Sequence, residues 1–497
     1  MSTKLEQIVR DATIQVEAVN KKENRPLYKK REPIFPKRAV GKFRRLKWLI
    51  MIFTLSIYYL VPFIRWDRGP GAPDQAVLID FPANRFYFFF IELWPQEVYY
   101  ITGILIVACL MLFFFTSLFG RVWCGYTCPQ TVWTDLFIAV ERWIEGDRNA
   151  RIKLHRAKWS FEKVGKYTLK HLLWLLIGMA TGGAWVFYFA DAPTLFVELF
   201  TLQADMTAYV FVAMFTGTTY TLGGLSREQV CTYMCPWPRI QAAMMDEDSL
   251  QVTYRKDRGE PKGHGKVRGH IRKGQDSSSF GDCIDCKQCV VVCPAGIDIR
   301  DGSQLECINC ALCIDACDGI MDKMGTPRGL IGYDTDANLA RRVIGKPEKF
   351  SLLRMRTVLY ALSIVAVCGF MVYLLINRSP LDLNVLRDRN PIFVQLSDGS
   401  IRNGYTIKIL NKQRSPRQFA VTIDGLDVQD IKINDIESIG SAPVVDVKSD
   451  SLRSVHLFLT VEGDTLRSSS EPIKIIITDK ESGYSVINDS VFIGPNK

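Results

Sequence analysis

Five long apolar runs interrupt an otherwise polar chain. They cover residues 48–64, 98–119, 171–190, 206–224 and 358–376, and none of them contains Asp, Glu, Lys or Arg. A helix needs about 20 predominantly apolar residues to cross the hydrocarbon core of a bilayer. The pattern therefore predicts an α-helical bundle of five transmembrane spans. Between the first two runs, the aromatic stretch 86–94 is predicted to be interfacial or re-entrant.

From about Asp382 onward, the pattern changes to short runs in which apolar and polar residues alternate. Turn signals such as Ser397-Asp398-Gly399 separate these runs. A period of two is typical of strands, and roughly seven short strands separated by turns are typical of an immunoglobulin-like sandwich. The sequence thus predicts an all-β domain at the C-terminal end. The runs are 392–396, 405–410, 419–423, 454–461, 473–478 and 485–493.

The formal net charge of +10 is unevenly distributed along the chain, and its distribution predicts the topology. Basic residues crowd before the first apolar run and again over 121–170, whereas the loop 191–205 carries only acidic charges. Because Lys and Arg are enriched on the cytoplasmic side of bacterial membrane proteins, we expect the N-terminus, the 121–170 loop and the 226–352 segment in the cytoplasm. The C-terminal domain is then periplasmic, at the bacterial inner membrane. These basic residues are expected to face the lipid bilayer, and we expect no nucleic acid among the partners.

Two cysteine runs with the same spacing provide the strongest chemical signal. In each run two residues separate the first three cysteines, and the fourth follows after three more. Three thiolates this close can hold three corners of an Fe4S4 cube, and the trailing cysteine crosses to the neighbouring cluster. We therefore predict two [4Fe–4S] clusters. One is held by Cys283, Cys286, Cys289 and Cys317, and the other by Cys307, Cys310, Cys313 and Cys293.

Zinc is the alternative for these eight cysteines. Structural zinc sites favour two pairs of ligands separated by a longer loop, which is not the pattern found here. One detail departs from the usual ferredoxin run: Pro294 follows the first run, but Asp318 follows the second. We expect Asp318 to change the hydrogen bonding and potential of a cluster without removing a ligand.

A second pair of motifs has the form Cys-x3-Cys-Pro, and each motif follows an apolar run. On a helix this spacing places both thiols on one face, while the proline marks a break nearby. Four thiols at one membrane face suit a soft metal such as Cu(I), a redox disulfide pair or another cluster. Simple packing of apolar cysteines is the alternative. The candidates are Cys124, Cys128, Cys231 and Cys235, with Met234, Met244 and Met245 as further sulfur donors.

These patterns predict a multidomain membrane protein with an inserted ferredoxin-like α+β domain carrying two [4Fe–4S] clusters. Neither a Gly-x-Gly-x-x-Gly fingerprint nor a Walker loop is present, so sites for nicotinamide, flavin or ATP are not supported. The expected segments are a basic N-terminal part (1–45), a membrane domain with four spans (46–240), the ferredoxin-like domain (241–352), the fifth span (353–378) and the immunoglobulin-like sandwich (379–497).

The motifs together resemble the cytochrome c oxidase accessory proteins of the FixG/CcoG (RdxA) type. The membrane part is also similar to NapH-like quinol-dehydrogenase ferredoxins, which lack the C-terminal sandwich. The resemblance runs from about Phe35 to the end of the chain. It is carried by the two cluster runs and by residues 124–129, 231–236, 321–325, 328–333, 387–391 and 396–405.

The resemblance implies a role in assembly of cbb3-type haem–copper oxidase, through reduction of Cu(II) to Cu(I). Copper would then pass to assembly chaperones, while an unnamed donor supplies electrons to the clusters. The paired thiols are the candidate copper and catalytic site, because soft sulfur ligands favour Cu(I). Two other functions remain open: a quinol-linked electron-transfer subunit serving another reductase, and a non-enzymatic assembly scaffold.

Overall fold

A computed structural model describes residues 14, 16–19, 32–69, 72–263, 281–434, 442–466 and 468–495. Most of the predicted basic N-terminal segment lies outside these residues. The chain divides into two units, Met1–Met371 and Val372–Lys497, which are described separately.

The first unit is mainly helical. Its α-helices are Lys42–Leu60, Val98–Phe119, Val122–Tyr126, Pro129–Glu145, Arg148–Arg156, Phe161–Thr181, Ala192–Thr201, Met206–Thr219, Trp237–Met244, Lys256–Gly259, Gln288–Val291, Leu312–Met324 and Asp336–Val343, and the helix Met355–Ile376 runs past its end. Short 3-10 turns lie at Val61–Phe63, Pro95–Glu97, Gly183–Tyr188 and Ile299–Asp301, and π-helical turns at Tyr220–Ser226 and Val230–Met234.

Four of the five predicted spans form helices that are long and apolar enough to cross a membrane: Lys42–Phe63, Pro95–Phe119, Phe161–Tyr188 and Met355–Ile376. The remaining run behaves differently. It forms the second arm of a bent pair, Ala192–Thr201 with Met206–Ser226, whose axes meet at 89°. The described residues therefore contain four candidate spans, or five if the bent pair is taken as a single span.

The bend has a local cause that the apolar pattern does not reveal. Leu202 adopts a left-handed conformation and ends the first arm, and the side chain of Asp205 accepts the backbone N–H of Thr207 to start the second. Asp191 caps the first arm in the same way through Thr194. The segment 191–205, expected to be a plain loop, therefore contains a capped helix because its acids serve as N-caps.

A small antiparallel sheet follows the first apolar helix. It consists of β1 (Val77–Asp80), β2 (Arg85–Phe88) and β3 (Ile91–Leu93) in that order. The stretch expected to be interfacial or re-entrant thus forms β2 and β3. Buried Arg68 supports the sheet from one side, donating to the carbonyls of Phe89, Pro73, Gln75 and Ala76.

The cysteine-rich part of the first unit is an α+β segment. Strands β4 (Gln251–Tyr254) and β5 (Ile331–Asp334) pair antiparallel, with Val252 opposite Tyr333. Gln288–Val291 and Leu312–Met324 are the helices that carry the cysteine runs. Its core is formed by Val252, Tyr254, Ile284, Val290, Ile299, Ala311, Ile314, Ile320, Met321, Leu330 and Ile331 together with Cys283 and Cys289.

This segment is docked onto the first apolar helix by hydrogen bonds. The carboxylate of Asp315, on the helix Leu312–Met324, accepts the backbone N–H groups of Phe43 (3.1 Å) and Arg44 (2.7 Å). These are free donors at a helix start, which a carboxylate satisfies well. Nearby, Asp135 forms buried ion pairs with Lys47 and Arg44. The cysteine-rich segment is therefore held against the helical part by specific polar contacts.

The second unit is a sandwich of two antiparallel sheets. One sheet has the order β10 (Asp430–Ile433), β12 (Ser451–Val461), β8 (Ile401–Asn411) and β6 (Leu381–Arg387), with β7 (Val394–Gln395) also pairing with β8. The other has the order β11 (Val444–Val447), β9 (Arg417–Asp424), β13 (Ser470–Asp479) and β14 (Ser485–Ile493). Its core includes Tyr405, Phe419 and Phe492, all essentially inaccessible.

Candidate metal centre

The two cysteine runs adopt the same unusual backbone conformation. In each run the residues just before and just after the middle cysteine have positive φ: Asp285 (51°) and Lys287 (58°) in the first run, Asn309 (53°) and Ala311 (59°) in the second. Alternation of right- and left-handed residues turns successive N–H groups into one concavity, a geometry found at many iron–sulfur sites. The repeat seen in the sequence is therefore also a repeat in local structure.

Backbone N–H groups point at the sulfur atoms in both runs. The sulfur of Cys286 accepts the N–H of Gln288, and that of Cys310 accepts the N–H of Leu312. Hydrogen bonds of this kind stabilise negative charge on sulfur and are one of the levers that set cluster potentials. The loops are thus preorganised for anionic sulfur ligands.

The trailing cysteine of the second run lies beside the first run. Cys317 interacts electrostatically with Cys286 and Cys283. Around them is a small cavity of about 20 Å³, and cysteine is the most frequent residue in its wall. The sulfur-bearing residues that line it are Cys283, Cys286, Cys289, Cys317 and Met321.

The reverse crossing is also present. The thiol of Cys293, which ends the first run, interacts with Cys310 and Cys307, and Cys313 interacts with all three of these. Cys313 is also close enough to sense Cys289 of the other set. The two groups of four cysteines are therefore adjacent.

These eight thiols fit [4Fe–4S] clusters in their chemistry. Burial raises the pKa of Cys307 to about 11, and the pKa values of Cys293 and Cys317 to about 12, so the thiolates need positive charge to form. Iron supplies that charge. Among the described residues, no three Cys, His, Asp or Glu side chains are placed to hold one metal ion. A [4Fe–4S] cube does not need three ligands around one ion, because each thiolate binds a different iron.

Two polar groups distinguish the surroundings of the first set. The Arg300 guanidinium acts electrostatically on Cys289 and pairs with Asp298 and Asp285. Asp318, which stands where a proline was expected, accepts the backbone N–H of Gly329 at 3.0 Å. The aspartate therefore ties the end of the helix Leu312–Met324 to the segment leading into β5.

The two Cys-x3-Cys-Pro motifs, far apart in sequence, come together. Each of the four thiols interacts electrostatically with the other three. Burial raises the pKa of Cys124 to about 11 and that of Cys231 to about 12, and each raise is reinforced by the neighbouring thiols. All four side chains are partly exposed. The two motifs therefore form one group of four thiols, which we call the four-thiol group.

The two motifs differ in how their backbones are folded. Cys128 is the N-cap of the helix Pro129–Glu145, and its carbonyl oxygen accepts the N–H groups of Thr131 and Val132, both at 3.0 Å. The second motif instead contains the π-helical turn Val230–Met234, with Cys235 directly after it. π-Helical turns are rare and are frequent at functional sites. The pseudo-repeat therefore presents its thiols through two different local structures.

A buried glutamine completes the environment of Cys124. Its thiol donates to the side-chain oxygen of Gln241 at 3.1 Å, and the Gln241 amide donates to Thr116 at 3.4 Å. Met244, considered as a sulfur donor, accepts a hydrogen bond from Tyr360, and Met234 is 64% exposed.

The first motif packs directly on the second cysteine run. A Cβ atom at Gly125 would stand 2.6 Å from the carbonyl oxygen of Ile308 and 3.1 Å from the backbone of Asn309. Tyr333 donates to the carbonyl of Asn309 at 2.6 Å, and its hydroxyl lies 3.4 Å from that of Tyr126. The four-thiol group is therefore next to the set containing Cys307.

Comparison with protein families agrees with this arrangement. Residues 226–336 match a family model described as a 4Fe-4S dicluster domain, and residues 101–150 match a 4Fe-4S binding domain. Residues 371–495 match a model described as an Ig-like fold at the C-terminus of FixG.

Relatives align over most of the chain. Protein RdxB of Cereibacter sphaeroides is 52% identical over 94% of this chain and 97% of its own, and nitrogen fixation protein FixG of Rhizobium meliloti is 50% identical over 92% of both. Protein RdxA of C. sphaeroides is 52% identical over 80% of this chain and 84% of its own. The chain belongs to the FixG family.

Family membership confirms several expectations. This FixG-family chain is an iron–sulfur electron-transfer protein with [4Fe–4S] clusters, and its C-terminal unit is Ig-like. Its apolar helices support a multi-pass membrane protein. The 4Fe-4S binding domain over 101–150 contains Cys124 and Cys128, which keeps an iron–sulfur role open for the four-thiol group as well.

Sequence reasoning missed the residues that join the FixG-family sites to one another. Gly125, Gln241 and Tyr333 carry no metal-ligand chemistry of their own, so spacing rules do not select them. Glycine inside a cysteine motif is the one signal that was readable, because glycine often marks close backbone approach.

Proposed function

We propose that this FixG-family chain is a cupric reductase acting in assembly of cbb3-type cytochrome c oxidase. Electrons from the iron–sulfur part reduce Cu(II), which is the substrate, to Cu(I) at the four-thiol group. The resemblance stated above supplies the metal and the oxidase. The observation that carries the proposal is the contact of Gly125 with the loop of Cys307, because it joins an electron reservoir to soft metal ligands.

The residues proposed to hold the clusters are the two crossed sets of cysteines. Support comes from the proximity of Cys317 to Cys283 and of Cys293 to Cys307. When bound and reduced, a [4Fe–4S] cluster supplies one electron, which converts one Cu(II) ion to Cu(I). The proposed ligands are Cys283, Cys286, Cys289 and Cys317 for one cluster and Cys307, Cys310, Cys313 and Cys293 for the other.

The proposed copper ligands are Cys124, Cys128, Cys231 and Cys235. Thiolates prefer Cu(I) to harder ions, so binding at this group favours the reduced product. In the part of the chain that the structure describes, no three Cys, His, Asp or Glu side chains are grouped closely enough to hold one metal ion. In this proposal, copper capture draws these thiols closer together or uses them in pairs, and their partial exposure leaves them accessible to copper.

The proposal includes an orientation at the bacterial inner membrane. The N-terminus and the cluster-bearing segment are cytoplasmic and the Ig-like unit is periplasmic, as supported by basic residues such as Arg148 and Lys153 beside the apolar helices. The proposed domain bounds stay as given above, 1–45, 46–240, 241–352, 353–378 and 379–497. Oxidase assembly factors and copper chaperones are the proposed partners, and the Ig-like unit is their proposed docking module.

Anaerobic titration of the dithionite-reduced, purified protein with Cu(II) tests this function. Cluster reoxidation and Cu(I) formation are followed together in the wild type and in a variant with serine at the four thiol positions. The proposal expects one Cu(I) per reduced cluster in the wild type and a loss of Cu(I) capture in the variant, with its clusters intact. If the two proteins behave alike, the four thiols are not the copper site. If neither protein reacts with Cu(II), the proposed function is wrong.

Quinol-linked electron transfer is the second candidate. One observation favours it: the ring nitrogen Nδ1 of His171 lies 2.9 Å from the hydroxyl of Tyr220 within the apolar helices, beside Trp174. A histidine paired with a tyrosine can handle the protons that quinol oxidation releases. Rapid reduction of the clusters by a quinol, abolished by His171→Phe, together with inert thiols, establishes this candidate and excludes copper reduction.

A further inference from the structure

A single buried arginine joins the four-thiol group to the second cluster site. Arg121 follows the end of the helix Val98–Phe119 and precedes Cys124 by three residues. Its side chain is almost fully buried, with 5% of the residue exposed. Burying a guanidinium is costly unless hydrogen bonds and opposite charge compensate, so its surroundings carry information about its role.

Three backbone carbonyls from two distant segments accept hydrogen bonds from the Arg121 guanidinium. One nitrogen donates to the carbonyls of Leu305 and, at 2.9 Å, Cys307, which lie at the entrance to the second cysteine run. The other terminal nitrogen donates to the carbonyl of Pro238, just after the second Cys-x3-Cys-Pro motif. Only the planar fork of arginine offers several donors in fixed directions. Arg121 therefore ties both thiol motifs to the loop of Cys307.

The charge of Arg121 acts mainly on sulfur. Burial lowers the pKa of its guanidinium, and the interactions that oppose this come from Cys124, Cys307, Glu306 and Cys231. Three of these four are thiols, two from the Cys-x3-Cys-Pro motifs and one from a cluster set. In a weakly polarisable interior, a charge at this place is felt far more strongly than at the surface.

Arg300 offers a contrast on the first cluster set. It too is buried and acts on Cys289, but it forms ion pairs with Asp298 and Asp285 that offset its charge. The two cluster sites therefore have different electrostatic surroundings, although their loops are alike. Net charge near a cluster is one of the established determinants of its potential.

We propose that Arg121 is a positioning residue that holds the four-thiol group against the second cluster site and raises the reduction potential of that cluster relative to the other. A nearby positive charge stabilises the reduced, more negative cluster, so electrons collect at the cluster next to the thiols. The inference rests on the proposed function for its purpose. Its physical content, a selective effect on one potential, does not require copper.

Redox titration monitored by electron paramagnetic resonance, without copper, tests the inference in the full-length protein. Arg121→Gln removes the charge, Arg121→Lys keeps the charge but not the fork, and Arg239→Gln removes an exposed arginine from the same region as a control. The expected result is a shift of one cluster to lower potential in Arg121→Gln, a smaller shift in Arg121→Lys and none in Arg239→Gln. Repeating Arg121→Gln in a Cys317→Ser background identifies the shifted cluster as the one that remains.

Two outcomes overturn the inference: both potentials unchanged, or both shifted equally. If Arg121→Gln fails to assemble clusters, Arg121→Lys carries the test through the same readout. If one cluster potential shifts selectively but the protein does not reduce Cu(II), the role of Arg121 stands and the proposed function is wrong. If the protein reduces Cu(II) but Arg121→Gln leaves both cluster potentials unchanged, the proposed function stands and the role of Arg121 is wrong.

Discussion

Gly125 packs against the carbonyl oxygen of Ile308 so closely that a Cβ atom at Gly125 would lie 2.6 Å from it. The contact brings the first Cys-x3-Cys-Pro motif onto the backbone of the second cluster loop. Because backbone atoms cannot rotate away as a flexible side chain can, this approach is possible only for glycine. The contact is therefore the structural basis that we propose for electron transfer between the two sites.

Gly125→Ala is expected to separate the first motif from the second cluster loop. Relieving such an overlap costs about 1–3 kcal/mol, and electron transfer from reduced clusters to Cu(II) should slow while both clusters remain bound. Stopped-flow mixing of the reduced protein with Cu(II) measures this rate. Gly319→Ala is the matched control, since a Cβ there meets nothing within 4 Å. Equal rates for the two variants would mean that the contact has no part in electron transfer.

The crossing of the trailing cysteines is expected to give a characteristic pattern in double variants. Cys317→Ser should remove one cluster, and adding Cys286→Ser should remove nothing more, because both residues belong to the same set. Cys317→Ser combined with Cys310→Ser should instead remove both clusters. Iron content and cluster absorbance measure the outcome. The opposite pattern would show that each run holds its own cluster.

Asp315 is expected to stabilise the junction between the cluster-bearing segment and the first apolar helix. Asp315→Ala leaves the N–H groups of Phe43 and Arg44 without this acceptor, and loss of a helix cap costs about 0.5–2 kcal/mol. The loss of cluster absorbance on heating should move to lower temperature. Asp322→Ala is the control on the same helix, because Asp322 forms an exposed ion pair with Arg328. A similar shift in both variants would refute the capping role.

Copper binding at the four-thiol group is expected to strengthen as pH rises. Burial raises the pKa of Cys124 to about 11 and of Cys231 to about 12, so both are protonated at neutral pH, and a metal must displace their protons. Each rise in pH below those values therefore reduces the competition. Competition with a Cu(I) chelator across the neutral range measures the effect. An affinity independent of pH would indicate that the thiols are already ionised.

The cysteine spacing alone predicts the crossed cluster sets, because three thiolates within seven residues leave few ways to build an Fe4S4 site. The apolar runs led to four helices directly. The run 206–224 instead forms one arm of a bent helix pair, since hydropathy does not register that Asp205 caps a new helix after Leu202. Periodicity likewise located six strands of the Ig-like unit, β7, β8, β9, β12, β13 and β14, but not β6, β10 and β11.

The junction between sites was beyond the sequence for a physical reason. Gly125, Arg121 and Asp315 act through contacts with residues far along the chain, and neither spacing nor composition encodes those contacts. Residues that bind metals have recognisable chemistry and spacing. Residues that bring two metal-binding segments together are recognised only once both segments are folded.

The most direct measurement is X-ray absorption at the copper edge of the cluster-reduced protein, frozen after one equivalent of Cu(II) is added without oxygen. It reports the oxidation state and the ligands of copper together. The account predicts Cu(I) with sulfur ligands in the wild type, and loss of those ligands when Cys124, Cys128, Cys231 and Cys235 are replaced by serine. Copper that stays Cu(II) beside reduced clusters, or Cu(I) bound by nitrogen and oxygen alone, would contradict it.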